Sequence, residues 1–307
     1  MKIVIIFPRR FFDPKQLDGL SEHELCFVEG KNIEIEQIDA LKDEQEKIFV
    51  VDPNYLKNAW SGLPLESLDN IAGLRAVCLT STAYSWVDSS ALRQKGIDLT
   101  NTPGKSTNAV AEFCIFMMLS LLRKMPLVVK NDWQMDYDQM INQEAKGKKA
   151  GIVGLGQIGA RVADLCEQMG MNVCYYNRSS KQNSWQSLSI EQLCSEVDVL
   201  FNSIATPPEV RNLICPDLIR SMKRSALIVA TSSPVYDHEL VLSQVAAGHL
   251  GGYAFESKDH KTDEYEDNVM VFPEQAYYTK ETLANTARIV TSTLHSIIAG
   301  SPINLVN

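Results

Sequence analysis

The chain lacks several patterns that would assign a protein to a class directly. None of its seven cysteines forms a CxxC pair, and their odd number favours buried free thiols in a reducing compartment over a disulfide framework. There is no HExxH motif and no aspartate-rich loop of EF-hand spacing, so the sequence predicts no metal site. A net charge of −9, without any lysine- or arginine-rich tract, argues against nucleic acid as a partner.

Long hydrophobic runs are missing as well. The apolar stretch at residues 1–7 ends at Pro8-Arg9-Arg10, too soon for a signal peptide, and is more typical of a first strand. Residues 109–122 are apolar on every face but too few to cross a bilayer, so they predict a buried helix. We therefore expect a cytoplasmic protein without a membrane partner.

What the chain does contain is an alternation of short apolar runs with helical stretches. Its 307 residues and 45% hydrophobic content suit two domains with sizeable cores. Strand-like runs lie at residues 3–7, 48–51, 76–79, 98–100, 150–153, 172–176, 197–202, 226–230, 252–255 and 269–272. Helical stretches lie at residues 108–122, 160–169, 216–222, 237–247 and 280–298. This alternation predicts an α/β fold with parallel sheets flanked by helices.

A glycine-rich turn in the middle of the chain points to dinucleotide binding. It joins a buried strand to a helix and reads Gly154-Leu155-Gly156-Gln157-Ile158-Gly159. In such a turn the first glycine permits the bend, the second lets the backbone approach a pyrophosphate, and the third lets helix and strand pack closely. The pyrophosphate is expected on the free N–H groups at the helix N-terminus, from Gln157 and Ile158.

The end of the next strand indicates which dinucleotide is preferred. An NAD site usually has an acidic residue here, about 20 residues after the turn, to hold the ribose hydroxyls. This chain has Asn177, followed by Arg178, Ser179, Ser180 and Lys181. Cations and hydroxyls without a carboxylate favour the 2′-phosphate of NADP(H), so we expect NADPH to bind more tightly than NADH. The alternative is a solvated basic turn.

Six segments carry a resemblance to a known family. They read GIDLTNTPGKSTNAVAEFCIFMMLSLLRK, GLGQIG, TPPEVRNLI, MKRSALIVATSS, NVMVFP and INLVN. In these the chain resembles the D-isomer-specific 2-hydroxyacid dehydrogenases, which reduce 2-oxo acids with NADH or NADPH. The resemblance implies two Rossmann-like lobes with doubly wound parallel sheets, an active-site cleft between them, and a homodimer formed through the cofactor lobe. We expect a substrate-binding domain at 1–100 and 290–307, and a dinucleotide-binding domain at 101–289.

The three catalytic positions that this resemblance implies have all changed. The family's arginine becomes Ser232, its histidine becomes Glu274, and its orienting glutamate becomes Lys261. None of the five histidines falls in the proton-donor position. The resemblance also places Ala205, Thr231 and Glu256 along the cofactor.

The family's glycine-rich substrate loop is altered too. Serine and alanine replace its two glycines, and bulky aromatic residues follow. The residues expected to bind substrate are Thr82, Ala83, Tyr84 and Trp86, with the backbone N–H groups of Thr82 and Ala83 available for an oxyanion.

Three candidates remain for a replacement chemistry. Glu274 would act as a proton donor if burial kept it neutral, or as a carboxylate that pairs with a cationic amine or iminium substrate; otherwise it is a solvated residue. Lys105 would anchor an anion in place of the lost arginine, or is a surface lysine. His260 and Lys261 form the third candidate: a shift of one residue would place His260 where the family's glutamate lies, but the acidic residues around the pair favour an exposed loop.

These observations leave three functional readings. The first is an NADPH-dependent reductase acting on a small carbonyl or imine substrate through Glu274, with Lys105 and Ser232 nearby. The second is a catalytically silent NADP(H)-binding sensor or interaction protein. The third is an ordinary 2-oxo-acid reductase, which the loss of arginine and histidine together disfavours.

Overall fold

The computed structural model describes residues 1–138, 140–179, 181–204, 210, 212–232 and 234–307. Two compact units are present: residues Met1–Ser106 with Thr279–Asn307, and residues Thr107–Tyr278. Both units are built on parallel sheets flanked by helices, which confirms the predicted α/β class.

The first unit contains a five-stranded parallel sheet. Its strands are β1 (Lys2–Ile6), β2 (Glu24–Phe27), β3 (Lys47–Val51), β4 (Leu74–Leu79) and β5 (Asp98–Thr100), in the order β2-β1-β3-β4-β5. Its helices are α1 (Pro14–Asp18), α2 (Leu65–Asp69), α3 (Ser89–Gln94) and α10 (Lys280–Ile298). Alternate residues of β3 face opposite sides of the sheet: Ile48 and Val50 pack with α10, whereas Phe49 and Val51 pack with α2 and α3.

The second unit contains, within its described residues, a seven-stranded parallel sheet. Its strands are β6 (Lys149–Val153), β7 (Asn172–Tyr176), β8 (Gln186–Ser187), β9 (Val199–Asn202), β10 (Leu227–Ala230), β11 (Gly252–Glu256) and β12 (Val269–Phe272). Its helices are α4 (Thr107–Leu122), α5 (Met125–Lys130), α6 (Gln157–Gln168), α7 (Ile190–Glu196), α8 (Pro216–Ser221) and α9 (His238–Ala246). The strand order is β12-β11-β10-β9-β6-β7-β8.

Both faces of this second sheet are covered, as in a doubly wound fold. Leu227 and Val229 of β10 pack in the cluster that includes α4 and α6, whereas Ile228 packs in the cluster that includes α7, α8 and α9. Strands buried on both faces need continuous apolar sequences, which is why they were recognisable as apolar runs.

The structure differs from the sequence expectations at several elements. The edge strands β2 and β8 were not predicted, because one begins with an exposed Glu24 and the other is two exposed polar residues. Helix α4 is not buried all round, since the side chain of Phe116 is 49% exposed. Helix α10 lies wholly in the first unit, so the unit boundary falls at Thr279 instead of inside the helix at 289/290.

The cysteines are free thiols, and five of the seven are buried. Burial raises the pKa of Cys114 to about 12, which keeps this thiol protonated and unreactive. No helix among the described residues is both long and apolar enough to span a bilayer. The described residues also contain no group of three or more His, Cys, Asp or Glu side chains that could hold a metal ion.

Candidate cofactor and catalytic site

The second sheet brings most of the predicted site residues to one edge. All neighbouring strands are parallel, so their carboxyl ends lie on the same side. The strand order reverses between β6 and β9, and ligands of open α/β sheets bind beside such a reversal. The glycine turn follows β6, Asn177 follows β7, Thr231 follows β10, Glu256 ends β11 and Glu274 follows β12.

The glycine turn has the geometry that its spacing predicts. Gly154 has a φ of +92°, and a Cβ there would lie 2.4 Å from Ile204 Cγ1. A Cβ at Gly159 would lie 2.0 Å from the carbonyl oxygen of Gly154, so helix α6 packs against the turn too closely for any side chain. A Cβ at Gly156, by contrast, would meet no protein atom within 4 Å.

The open space at Gly156 adjoins the N-terminus of helix α6. Gly156 is the N-cap residue and has no side chain to bond the free N–H groups of the first turn, which starts at Gln157 and Ile158. Unused N–H donors and a positive helix-dipole end favour an anion. The residues therefore fit the pyrophosphate of a dinucleotide.

Asn177 ties the glycine turn to the turn after β7. Its Oδ1 accepts a hydrogen bond of 3.0 Å from the Leu155 backbone N–H, and its Nδ2 donates to the carbonyl oxygen of Ser179 at 2.8 Å. Arg178 and Ser179 are exposed in the turn after β7, and Arg178 has no ion pair within the described residues. Asn177 thus shapes the site, while Arg178 is left available to a ligand. Ser180 lies outside the described residues.

Thr231 and Ser232 follow β10 near the middle of the edge. Thr231 Oγ1 lies 3.6 Å from the Sγ of Cys114 on helix α4, and Ser232 Oγ donates to the carbonyl oxygen of Asn202 at 3.4 Å. The short hydroxyl of Ser232 is thus turned to a backbone group of the neighbouring strand. Ala205, which the family resemblance placed along the cofactor, lies outside the described residues.

Glu256, the last residue of β11, holds the turn that follows β12. Its Oε1 accepts hydrogen bonds from the backbone N–H groups of Gln275 at 2.6 Å and Ala276 at 2.8 Å. Burial raises the pKa of Glu256, the two N–H bonds oppose that rise, and the neighbouring Glu274 adds to it. Sequence reasoning assigned Glu256 to the cofactor and did not anticipate that it holds the turn that carries Glu274.

Glu274 is not enclosed in the second unit. Its Oε2 lies 2.8 Å from Lys258 Nζ, and the two side chains are 51% and 63% exposed. A proton-donor role was expected to need strong burial, which this geometry does not provide. The paired, exposed carboxylate suits cation binding better.

The third altered position, Lys261, is exposed in the loop after β11. It stands at the N-cap of a short 3-10 turn, Thr262–Glu264. The neighbouring His260 is held by the hydroxyl of Tyr265, 3.0 Å from its Nδ1, and packs near the ring of His238. His260 is therefore part of an aromatic cluster in this loop.

The predicted substrate loop follows β4 in the first unit. Thr82, Ala83 and Tyr84 are exposed, and no hydrogen bond from the backbone N–H of Thr82 or Ala83 occurs within the described residues. Trp86 is different. Only 8% of it is exposed, it packs in the core with α2 and α3, and its Nε1 donates to the carbonyl oxygen of Ala83 at 3.0 Å. Trp86 therefore supports the loop from below.

Lys105 lies beneath the same loop. Its Nζ donates to the carbonyl oxygen of Thr80 at 2.6 Å, and burial lowers its pKa, an effect that the nearby Asp52 opposes. Asp52 is 5% exposed, and burial raises its pKa. Sequence reasoning missed Asp52, although an acidic residue directly after the buried strand β3 was the available signal. Lys105 is thus a partly buried lysine that supports the loop through its bond to Thr80, and it is not a surface lysine.

The fold and the turn at Gly154–Gly159 define a doubly wound α/β protein with a dinucleotide site. The family model described as "D-isomer specific 2-hydroxyacid dehydrogenase, NAD binding domain" matches residues 115–293, more than half of the chain. The chain belongs to the D-isomer specific 2-hydroxyacid dehydrogenase family, a family of NAD(P)-dependent oxidoreductases.

Individual relatives agree with this assignment. The chain is 28% identical over 279 residues to hydroxyphenylpyruvate reductase of Plectranthus scutellarioides, covering 87% of this chain and 88% of that protein. It is 29% identical over 260 residues to glyoxylate reductase of Aeropyrum pernix, covering 76% of each. The structure of D-2-hydroxyisocaproate dehydrogenase has the same fold, with a TM-score of 0.84 at 21% identity over 100% of this chain and 99% of that one.

Proposed function

We propose that this chain is an NADP(H)-dependent reductase that transfers hydride to a small carbonyl or imine substrate with a catalytic set unlike that of its family. The observation that carries the proposal is the contrast along one sheet edge. The glycine turn keeps the geometry of a dinucleotide site, whereas Ser232 and Glu274 stand where the family resemblance implies arginine and histidine.

The proposed preference for NADPH over NADH rests on the turn after β7. No carboxylate follows Asn177 to repel a 2′-phosphate, and Arg178 is exposed beside Ser179. One charge-assisted hydrogen bond from arginine to phosphate contributes roughly 1.5–3 kcal/mol, which favours NADPH about tenfold or more. A dinucleotide held by its 2′-phosphate at Arg178 would supply the hydride from its nicotinamide group, and the protein would anchor and orient it.

The substrate proposal rests on Glu274. Because its carboxylate is paired with Lys258, it is suited to receive a cation, such as a protonated imine, in place of that ammonium group. The exposed N–H groups of Thr82 and Ala83 are the donors for a substrate oxyanion or carboxylate, and Lys105 stabilises the backbone of that loop. One protein of the same fold, at 22% identity, is an acyclic imino acid reductase whose structure contains NADPH and D-Arg, so the fold hosts imine reduction elsewhere.

Oxidation of NADPH in the presence of 2-oxo acids, aldehydes and imines tests the proposal. Turnover that Glu274→Gln reduces, without loss of NADPH binding, is the expected result. The exposed ion pair of Glu274 also favours a second candidate, a silent NADP(H)-binding sensor, which predicts tight NADPH binding with no turnover across the whole panel. Rapid reduction of glyoxylate or hydroxypyruvate would overturn the substrate proposal.

We also propose that the chain forms a homodimer through its dinucleotide-binding unit. In this unit, large apolar side chains of α4 and of residues 133–141 are strongly exposed: Phe116 49%, Trp133 70%, Tyr137 85% and Ile141 70%. Several exposed apolar side chains on α4 and on residues 133–141 are typical of a protein–protein interface. Light scattering of the purified protein should give twice the chain mass of 34.3 kDa, and Trp133→Glu with Ile141→Glu should give a monomer.

A further inference from the structure

A second candidate binding site lies in the first unit, in a pocket of about 390 Å³. Its lining residues are contributed by one segment between β1 and β2, and they are Arg9, Arg10, Phe12, Pro14, Leu17 and Asp18. The segment leaves the sheet at the carboxyl end of β1. In the order β2-β1-β3-β4-β5 the direction of strand succession reverses beside β1, which is the place where open α/β sheets bind ligands.

The two arginines give this pocket positive groups that the protein itself does not neutralise. Arg9 Cζ lies 5.4 Å from the ring centroid of Phe27, and Arg10 Cζ lies 4.8 Å from that of Phe11. Neither side chain has an ion pair to a carboxylate within the described residues. Stacking on aromatic faces holds a guanidinium group while its N–H donors stay free for a carboxylate.

The remaining lining residues narrow the chemistry of the ligand. Phe12 is 6% exposed and, with Pro14 and Leu17, provides an apolar surface. Asp18 adds one carboxylate, which forms no ion pair with either arginine. A phosphate or a dicarboxylate would be repelled by Asp18, whereas a molecule with one carboxylate, one ammonium group and an apolar side chain complements all three features.

We propose that this pocket binds a small amino acid in its zwitterionic form. Arg9 and Arg10 hold the carboxylate, Asp18 pairs with the ammonium group, and the side chain lies on Phe12 and Leu17. The proposal does not rest on the reductase activity, and it can be tested without cofactor or turnover.

Calorimetric titration of the full chain with leucine, 4-methylpentanoate and isopentylamine tests it, because the last two each lack one charge of leucine. We expect saturable binding of leucine and weaker binding of the other two probes. Arg9→Gln or Arg10→Gln should weaken leucine binding about tenfold, since each removes a charge-assisted bond. Asp18→Asn should weaken leucine but spare 4-methylpentanoate.

Lys15→Gln is the matched control, because Lys15 is an exposed cation of the same segment that does not line the pocket. Thermal melting of each variant verifies folding. No saturable leucine binding below about 10 mM would overturn the proposal. So would equal binding of leucine and 4-methylpentanoate, or a loss in Lys15→Gln as large as in the arginine variants.

Discussion

The carboxylate of Glu256 accepts a hydrogen bond of 2.6 Å from the backbone N–H of Gln275. The end of β11 thereby fixes the turn after β12, and with it the position of Glu274. In this chain a residue on the cofactor edge therefore orients the group that we propose to replace the family's histidine.

The first prediction concerns Glu274 itself. Glu274→Gln should raise the KM for a cationic substrate about tenfold or more, because it removes one charge-assisted interaction, and should leave the Kd for NADPH unchanged. Lys258→Gln is the informative companion, because it removes the competing cation and leaves Glu274 in place. For a cationic substrate that variant should lower KM. A raised KM in Lys258→Gln, or full activity in Glu274→Gln, would contradict the assignment.

The second prediction uses the raised pKa of Glu256. Its folded-state pKa lies above the ordinary 4.5, so the folded protein binds this proton more tightly than the unfolded chain does. The contribution of Glu256 to the free energy of unfolding therefore falls as pH rises from about 4.5 through the folded-state pKa, and is constant above it. Glu256→Gln removes that contribution.

Urea unfolding at several pH values between about 4 and 7 measures this effect. The difference in unfolding free energy between the wild type and Glu256→Gln should change across that window. Parallel curves for the wild type and Glu256→Gln would show that this carboxyl is not perturbed.

The third prediction separates folding from cofactor binding within the glycine turn. Gly159→Ala forces a Cβ against the Gly154 carbonyl and should destabilise the protein by about 1–3 kcal/mol. Gly156→Ala meets no protein atom and should cost under about 1 kcal/mol as an N-cap change. It should nevertheless weaken NADPH binding about tenfold or more, because the methyl group fills the pyrophosphate position. Thermal melting and fluorescence titration provide the two readouts, and normal NADPH affinity in Gly156→Ala would place the cofactor elsewhere.

The fourth prediction concerns cofactor choice. Arg178→Gln should raise the Kd for NADPH about tenfold and leave the Kd for NADH nearly unchanged, since only NADPH carries the 2′-phosphate. Arg224→Gln serves as the control: Arg224 is also exposed, but it precedes β10 and so lies at the amino ends of the strands. Similar losses for both cofactors would mean that Arg178 acts through general charge alone.

The fifth prediction concerns the support beneath the substrate loop. Lys105→Met leaves Asp52 buried without its nearby cation and removes the donor to Thr80, so it should destabilise the first unit by about 1–3 kcal/mol. Lys42→Met removes an exposed pair with Asp39 and should have a much smaller effect. If Lys105→Met melts like the wild type yet raises KM, Lys105 contacts the substrate directly.

The parts of the fold that followed from sequence are those buried on both sides. Strands such as β9 and β10 are continuous apolar runs, and the glycine spacing located the turn between β6 and α6. The edge strand β8 has no apolar residue and β2 has only three, after Glu24, because an edge strand is covered on fewer sides. The exposure of Phe116 on α4 was not predicted, because an exposed apolar surface has the same composition as a core.

The sequence singled out candidate site residues, but it could not show which groups they contact. The sequence alone places Glu274 directly after β12. Its ion pair with Lys258, and the hydrogen bond by which Glu256 holds the turn, depend on how β11 and β12 align. The same holds for Trp86. An aromatic residue in a binding loop suggested substrate contact, and only packing shows that its indole N–H is used to support Ala83.

We propose that this chain retains the cofactor site of its family but catalyses a different reaction. Comparing kcat/KM with NADPH for an imine, formed from an aldehyde and an amine, and for glyoxylate tests this most directly. We predict a clear preference for the imine that disappears in Glu274→Gln. Rapid glyoxylate reduction, insensitive to Glu274→Gln, would contradict the claim and make the chain an ordinary 2-oxo-acid reductase.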